Sequence, residues 1–289
     1  MTSLKFLRKN ILFIILMIIF IIWSLGPIVW TLIVSITPEI NLLEKPPKIA
    51  ISDFNLSSYK KLLTETSAGG SAGVREGKDF RKGLINSVIV AAMTTILCTI
   101  VSFISGYAIS RYKFYGKRFL FLLIILTMPI PLVVFAIPLI RIVATLKLID
   151  SHLGLSIIYT SFALPLCIWL SASYIQTLPT EIEDAAYIDG CNRFQTFFRV
   201  IIPLSKPIIA AVAIIAFLDS WGQFFVPMIF APSNAKQVTV VLTEFQGKLF
   251  VDKDLISAGG IIALIPPIII ILLFNKFIVG GLSKGAVKE

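Results

Sequence analysis

The stretch EIEDAAYIDG, residues 181–190, gathers four carboxylates in a chain whose neighbouring segments are mostly Ile, Leu, Val and Phe. Carboxylates can move protons, hold a metal or present a charged face to a partner, and the rest of the sequence chooses among these roles. His152 is the only histidine, which removes an HExxH zinc site and any scheme that needs a second imidazole. No GxSxG occurs. The glycine-rich stretch GGSAGVREGKD, residues 69–79, fails as a phosphate loop: three residues rather than four separate Gly73 from Gly77, and Asp79 stands where Ser or Thr must follow Lys78. Cys98, Cys167 and Cys191 form no CxxC pair and read as packing residues within or beside apolar runs. Docking to another protein is the chemistry left for the acidic stretch.

Its spacing predicts how it folds. Thr180 and Glu183 match a T-x-x-E capping box after Pro179, so a short helix starts there and Gly190 stops it. Ala185 and Ala186 leave a face with little bulk, and Asp189 precedes the glycine that takes left-handed backbone. Asn192 is a second N-cap. Phe194, Phe197, Phe198 and Ile201 then recur at i, i+3, i+4 and i+7 as an apolar stripe, before Pro203 interrupts. The segment reads as two short helices, one acidic with a small face for close docking, the other amphipathic against membrane helices.

The elements that hold it are transmembrane. Of the 289 residues 57% are hydrophobic and 15% charged, and the mean hydropathy is +0.92, far from the balance of a soluble domain. Runs at 11–36, 84–108, 119–146, 154–176, 207–230 and 257–280 each reach the ~20 residues that a helix needs to cross a bilayer. The predicted fold class is an all-α integral membrane protein with six transmembrane helices and a cytoplasmic helix-turn-helix between spans four and five. The first run exceeds a signal-peptide core of roughly 7–15 residues and lacks a small-x-small cleavage site, so it reads as an uncleaved anchor. Lys5, Arg8 and Lys9 before the first span, and Arg111, Lys113, Lys117 and Arg118 after the second, have no acidic neighbours, which places both segments on the cytoplasmic side, and six spans put both termini there. Residues 37–83 mix eight basic with six acidic residues and are long enough to cross regardless. The formal charge of +10 gathers at span ends, which fits anionic headgroups and argues against nucleic acid. The resulting organisation is a cytoplasmic N-terminus (1–10), a first transmembrane helix (11–36), an external loop (37–83), a five-helix core (84–280) containing the polar loop (177–206), and a cytoplasmic tail (281–289).

Asp184-Ala185-Ala186, three residues, Gly190, nine residues and then Val200-Ile201-Ile202-Pro203 is similar to the E-A-A, three residues, Gly, nine residues, Ile-x-Leu-Pro signature of permease subunits in binding-protein-dependent ABC transporters. Asp184 replaces the family's Glu, Val200 its Ile and Ile202 its Leu, so charge and hydrophobic character persist. LPTEIEDAAYIDG, IIPLSKP, RYKFYGKR and the tail GLSKGAVKE resemble the shorter, sugar-type permeases, such as the smaller membrane subunit of the maltose transporter. Trp221-Gly222-Gln223-Phe224 departs from the Trp-Asn-Asp or Trp-Asn-Glu common there. The resemblance implies a non-catalytic subunit that works with a second permease, two cytoplasmic ATPases and an external solute-binding protein, with ATP and magnesium on the ATPases and no cofactor on this chain. It also implies that Glu181, Glu183, Asp184, Ala185, Ala186, Asp189 and Gly190 couple to the ATPase, and that the tail reaches between ATPase subunits.

The solute is read as a carbohydrate, the alternatives being another solute of an ABC permease (amino acid, peptide or polyamine) or an ATP-independent secondary transporter. Asp219, Trp221, Gln223 and Phe224 are the candidates for the solute path. At about 1.5 Å per residue from Pro207, Asp219 lies roughly 18 Å into a hydrocarbon layer of about 30 Å, where a carboxylate must turn to a polar partner or a wet cavity. Asp219, Gly222 and Gln223 share a helix face, and Trp221 or Phe224 could pack on a sugar ring. The competing reading pairs Asp219 with Arg141 as buried structural glue. The topology predicts that a cysteine at Ser71 reacts with an impermeant reagent from outside and one at Lys117 does not; the reverse pattern overturns the orientation.

Overall fold

The computed structural model describes residues 2–64, 72–245 and 253–285, with side chains described for 13–64, 77–245 and 253–277. Every regular element among them is helical: α1 (Thr2–Ile36), α2 (Glu39–Leu43), α3 (Ser57–Leu63), α4 (Ala72–Arg111), α5 (Lys117–Leu126), α6 (Ala136–Thr145), α7 (His152–Thr177), α8 (Glu181–Ile188), α9 (Arg193–Thr196), α10 (Ile202–Leu204), α11 (Lys206–Trp221), α12 (Phe225–Phe230), α13 (Val238–Glu244) and α14 (Lys253–Gly285). The expected tail at 281–289 lies beyond the described side chains, and its last four residues, 286–289, lie outside the described residues altogether.

Among the described residues, four helices are long and apolar enough to cross a membrane: Phe13–Ile36, Gly77–Arg111, His152–Thr177 and Lys253–Phe277. They match four of the six runs read from the sequence. The run at 119–146 is not one helix but two of ten residues, α5 and α6. Pro129 and Pro131 have no N–H to continue the ladder, and the chain leaves α5 through i−3 bonds from Thr127 and Met128 before a 3-10 turn at Leu132–Phe135. The run at 207–230 also breaks, between α11 and α12. Pro227 offers no N–H to the Gln223 carbonyl, which instead accepts from the Thr239 hydroxyl at 2.7 Å. A further bend of 74° separates Arg193–Leu204 from Lys206–Trp221.

The chain divides into two compact units. Met1–Arg81 with Val241–Leu264 forms the first, held by Ser58 donating to Asp254 at 2.7 Å, by Ser35 and Tyr59 at 2.7 Å, and by the Phe80 and Phe245 rings at 6.5 Å. Its α1 exposes apolar side chains all round, Trp23 by 82%, as befits a helix solvated by lipid.

Lys82–Val240 with Ile265–Glu289 forms the second unit. Here α4 and α7 meet along small residues. Ser156 Oγ reaches the Val90 carbonyl at 3.4 Å, and a Cβ on Gly106 would sit 2.6 Å from Ser171 Cβ, so only glycine allows that approach. Cys98 and Cys167 are fully buried in the same cluster as Phe103, Ile175 and Val212, in agreement with packing roles.

At the His152 end of α7 a polar clamp fixes the segment 231–237. Asp150 accepts backbone hydrogen bonds from Ser233 (3.2 Å), Asn234 (2.8 Å) and Ala235 (3.1 Å), and its own N–H donates to the Phe230 carbonyl at 2.8 Å. Asn86 Nδ2 donates to the Asn234 and Lys236 carbonyls, so its Oδ1 is the acceptor and His152 Nε2 the donor at 2.8 Å. Burial raises the Asp150 pKa, but the three backbone donors and Lys82 outweigh it and hold the carboxyl below its usual range. A lowered pKa means that the clamp is stabilising above the ordinary carboxylate pKa, about 4, and loses that contribution as pH falls through the lower folded value. Hydrogen exchange at residues 233–235 should therefore be flat from neutral pH to about pH 4 after correction for intrinsic rates, and about tenfold faster in Asp150→Ala. Unchanged protection in that variant removes the clamp.

Candidate functional site

Residues 178–203 lie at the opposite, Arg111 end of α4 and α7. The chain leaves α7 in extended backbone at Leu178 and turns into α8. The expected Thr180 capping box does not form. Thr180 is already helical (φ −68°, ψ −27°) and its side chain makes no cap bond, the Glu183 N–H donating instead to the Thr180 carbonyl at 2.9 Å, and the Glu183 carboxylate is engaged elsewhere. Its Oε1 lies 2.5 Å from Arg111 Nε and its Oε2 accepts from Tyr107 OH at 2.9 Å, while Arg111 Nη2 donates to the Leu178 carbonyl at 2.8 Å. Only 12% of the Arg111 side chain and 8% of the Glu183 side chain remain exposed, so this ion pair is largely out of water. The three acidic residues of the first turn, Glu181, Glu183 and Asp184, also suit the positive end of the helix dipole.

The far end of α8 follows the sequence reading. Gly190 takes φ +86°, Cys191 N–H donates to the Ala186 carbonyl at 2.9 Å and Gly190 N–H to Tyr187 at 3.1 Å, the paired bonds of a Schellman stop. Asn192 caps the second helix as expected. It also forms a full capping box with Gln195, both bonds 2.9 Å. The N-x-x-Q spacing was the available signal for Gln195.

The Phe194, Phe197, Phe198, Ile201 stripe splits in two. Phe197–Ile201 forms a π-helical turn just before Pro203, whose missing N–H leaves the Arg199 carbonyl without its α-helical donor. Phe197 packs between Phe103 (centroids 5.6 Å) and Tyr107 (5.0 Å), and Ile201 is buried with it. Phe194 and Phe198 point outward, exposed by 77% and 61%. Arg193 lies over the Tyr112 ring at 5.7 Å and ties α9 to the end of α4.

The expected small face also divides. Ala186 and Glu183 are buried against the chain itself, whereas Glu181, Asp184, Ala185, Tyr187, Ile188, Asp189 and Gly190 face outward. Glu181, Asp184, Ala185 and Ile188 stand at i, i+3, i+4 and i+7, one continuous stripe. Ile188, 86% exposed, crowns it.

The second candidate group lies at the break after α11. Gln223 Nε2 donates to Asp219 Oδ1 at 3.4 Å, so the shared face read from the sequence exists. Phe224 is 41% exposed beside it. Trp221 is turned the other way: it is buried and stacks on Phe217 at 5.6 Å with rings 12° apart, which makes it packing rather than a ring platform. Among the described residues Arg141 is exposed and makes no ion pair with Asp219. No group of three or more metal-ligating side chains occurs among the described residues.

An α-helical membrane chain with a polar helix-turn-helix pinned to the end of a span is the build of a transport permease. Residues 98–284 match the family described as the binding-protein-dependent transport system inner membrane component, and the chain belongs to that family, a multi-pass membrane component of ABC importers. It is similar to the sulfoquinovosyl glycerol transport system permease protein of Agrobacterium fabrum, 29% identical over 271 residues, covering 93% of this chain and 91% of that protein. The trehalose transport system permease protein of Mycobacterium tuberculosis is 30% identical over 269 residues, with 92% and 93% covered. The fold is shared with the crystal structure of a bacterial ABC transporter involved in the import of the acidic polysaccharide alginate, at a TM-score of 0.75 and 23% identity over 93% of this chain and 96% of that one.

Breaking a buried ion pair from one side leaves an uncompensated charge and costs about 3–5 kcal/mol, whereas removing both charges costs less than the sum. Glu183→Gln and Arg111→Gln should each lower the thermal stability of the purified protein by amounts that do not add in the double variant. Additive losses would mean that the two side chains act separately.

Proposed function

We propose that this chain is one half of the membrane path of a carbohydrate ABC importer, with its outward α8 face docked on a cytoplasmic ATPase. The carbohydrate reading is supported by the relatives that are transport permeases for trehalose and sulfoquinovosyl glycerol and by the alginate importer that shares the fold. The wider assembly is a second permease, two ATPases that bind ATP and magnesium, and an external solute-binding protein; this chain itself is non-catalytic. We read α5 with α6 as one crossing and α11 with α12 as another, each broken at proline, which gives six crossings and cytoplasmic termini.

One observation carries the coupling reading: Glu183 and Ala186 fasten α8 to its own chain while Asp184, Ala185 and Ile188 are left uncovered on the reverse side. A helix that is loose at both faces could not pass on movement. A helix anchored on one side and bare on the other can, and the two outward phenylalanines, Phe194 and Phe198, extend the bare surface. When the ATPase dimer closes on nucleotide, displacement of α8 is delivered through Glu183 and Arg111 to the end of α4. The break after α11 is the proposed place of solute contact. There Asp219 and Gln223 offer acceptors and donors to sugar hydroxyls, and Phe224 offers an apolar face to a ring. Trp221 supports this face from behind.

Two experiments on the purified complex test these assignments. Ile188→Asp should lower ATPase copurification at least tenfold while the permease stays in the membrane; retention at the normal level removes α8 as the docking element. Asp219→Asn and Gln223→Ala should each change the half-saturating sugar concentration of uptake about tenfold with assembly intact. Loss of assembly instead makes them structural.

A further inference from the structure

The turn between α4 and α5 carries charges that the described structure does not neutralise. In RYKFYGKR, residues 111–118, Arg111 is committed to Glu183. Lys117 reaches only carbonyls, those of Ser110 and Tyr112, at 3.5 and 3.2 Å. Lys113 and Arg118 are exposed and have no hydrogen bond or ion pair among the described residues. No acidic residue occurs in the chain between Arg111 and Asp150, and Glu183, the carboxylate bonded at this turn, is already paired with Arg111.

Two of these cations, Lys117 and Arg118, border a groove of about 850 Å³. Lys117 and Arg118 stand at its α5 start and Gln176 of α7 lines it from the other side. One turn further along α5, Phe121 and Leu122 provide an apolar wall, and Ile109 of α4 another. Tyr115 is fully exposed beside it. Cations and aromatic rings at the end of membrane helices, with apolar side chains directly beyond them, follow the order of a phospholipid from phosphate to acyl chain. A soluble acidic partner would satisfy the cations but leave the apolar walls uncovered, and free phosphate would do the same.

We propose that this groove seats an anionic phospholipid of the cytoplasmic leaflet, with its phosphate held by Lys117 and Arg118, Lys113 adding to the field, and an acyl chain along Phe121 and Leu122. The choice of leaflet rests on the topology proposed above; the seat itself does not.

The assembled transporter, released from micelles holding phosphatidylglycerol and phosphatidylcholine in equal amounts, provides the test by native mass spectrometry. At roughly fivefold per cation near the surface, phosphatidylglycerol should be retained over phosphatidylcholine by on the order of a hundredfold. Lys113→Gln/Lys117→Gln/Arg118→Gln should abolish the preference, and Leu122→Trp, which fills the groove and keeps every charge, should expel the lipid. A preference that survives the triple substitution overturns the site. So does a preference unaffected by Leu122→Trp, which would mean diffuse attraction without a seat. A triple variant that sheds the ATPase yet keeps the lipid reassigns the cations to a protein contact and also overturns the proposal. Labelling of Lys117→Cys from outside would fault the topology alone, because lipid retention is measured without reference to the leaflet.

Discussion

The ion pair between Arg111 and Glu183 joins two segments 72 residues apart, and the geometry of residues 178–203 depends on it. Taking both charges out of water is costly, and attraction between them does not by itself repay that cost. Here each partner has a further bond, Glu183 from Tyr107 and Arg111 to the Leu178 carbonyl, which offsets part of that cost. The consequence is directional rather than merely stabilising. A guanidinium holding a carboxylate and a carbonyl together fixes where α7 ends, where α8 begins and how α8 is rotated. That rotation decides that Ile188 and Asp184 face outward.

The membrane imposes the second constraint. Backbone groups at the level of hydrocarbon need partners within the protein, so a proline break is tolerated only where something else takes the freed carbonyl. Thr239 does this for Gln223, and the same break that needs repair also gathers Asp219, Gln223 and Phe224 into one accessible place. Irregular backbone and solute contact are thereby located together in the proposed path. At the His152 end of α7 the Asp150 clamp performs a comparable repair for residues 233–235, with a carboxylate serving three backbone donors.

Signals carried by neighbouring residues were legible. Gly190 as a left-handed stop, Asn192 as a cap and four of the spanning helices follow from local chemistry, and the structure contains each of them. Contacts over long separations were not. Thr180 and Glu183 have the spacing of a capping box, but nothing nearby in sequence tells that Arg111 and Tyr107 compete for the carboxylate and win. Ala185 and Ala186 read as one small face because helical periodicity gives adjacent residues no sign of which way the core lies. Phe194 and Phe198 form one i, i+4 line and Phe197 and Ile201 the adjacent one, and periodicity does not tell which of the two lines meets the core. Trp221 similarly reads as a platform until Phe217, one turn back, is found stacked against it. The runs at 119–146 and 207–230 have the apolar length of spans, and hydropathy averages conceal the prolines that divide them.

The central claim is that ATPase movement reaches the membrane through α8 and the Arg111–Glu183 connection. The most direct measurement is the number of sugar molecules imported per ATP hydrolysed in proteoliposomes containing the complete transporter. With Arg111→Gln, sugar imported per ATP hydrolysed should fall about tenfold in those complexes that retain the ATPase. A ratio equal to that of the unaltered transporter, with the complex fully assembled, would contradict the claim.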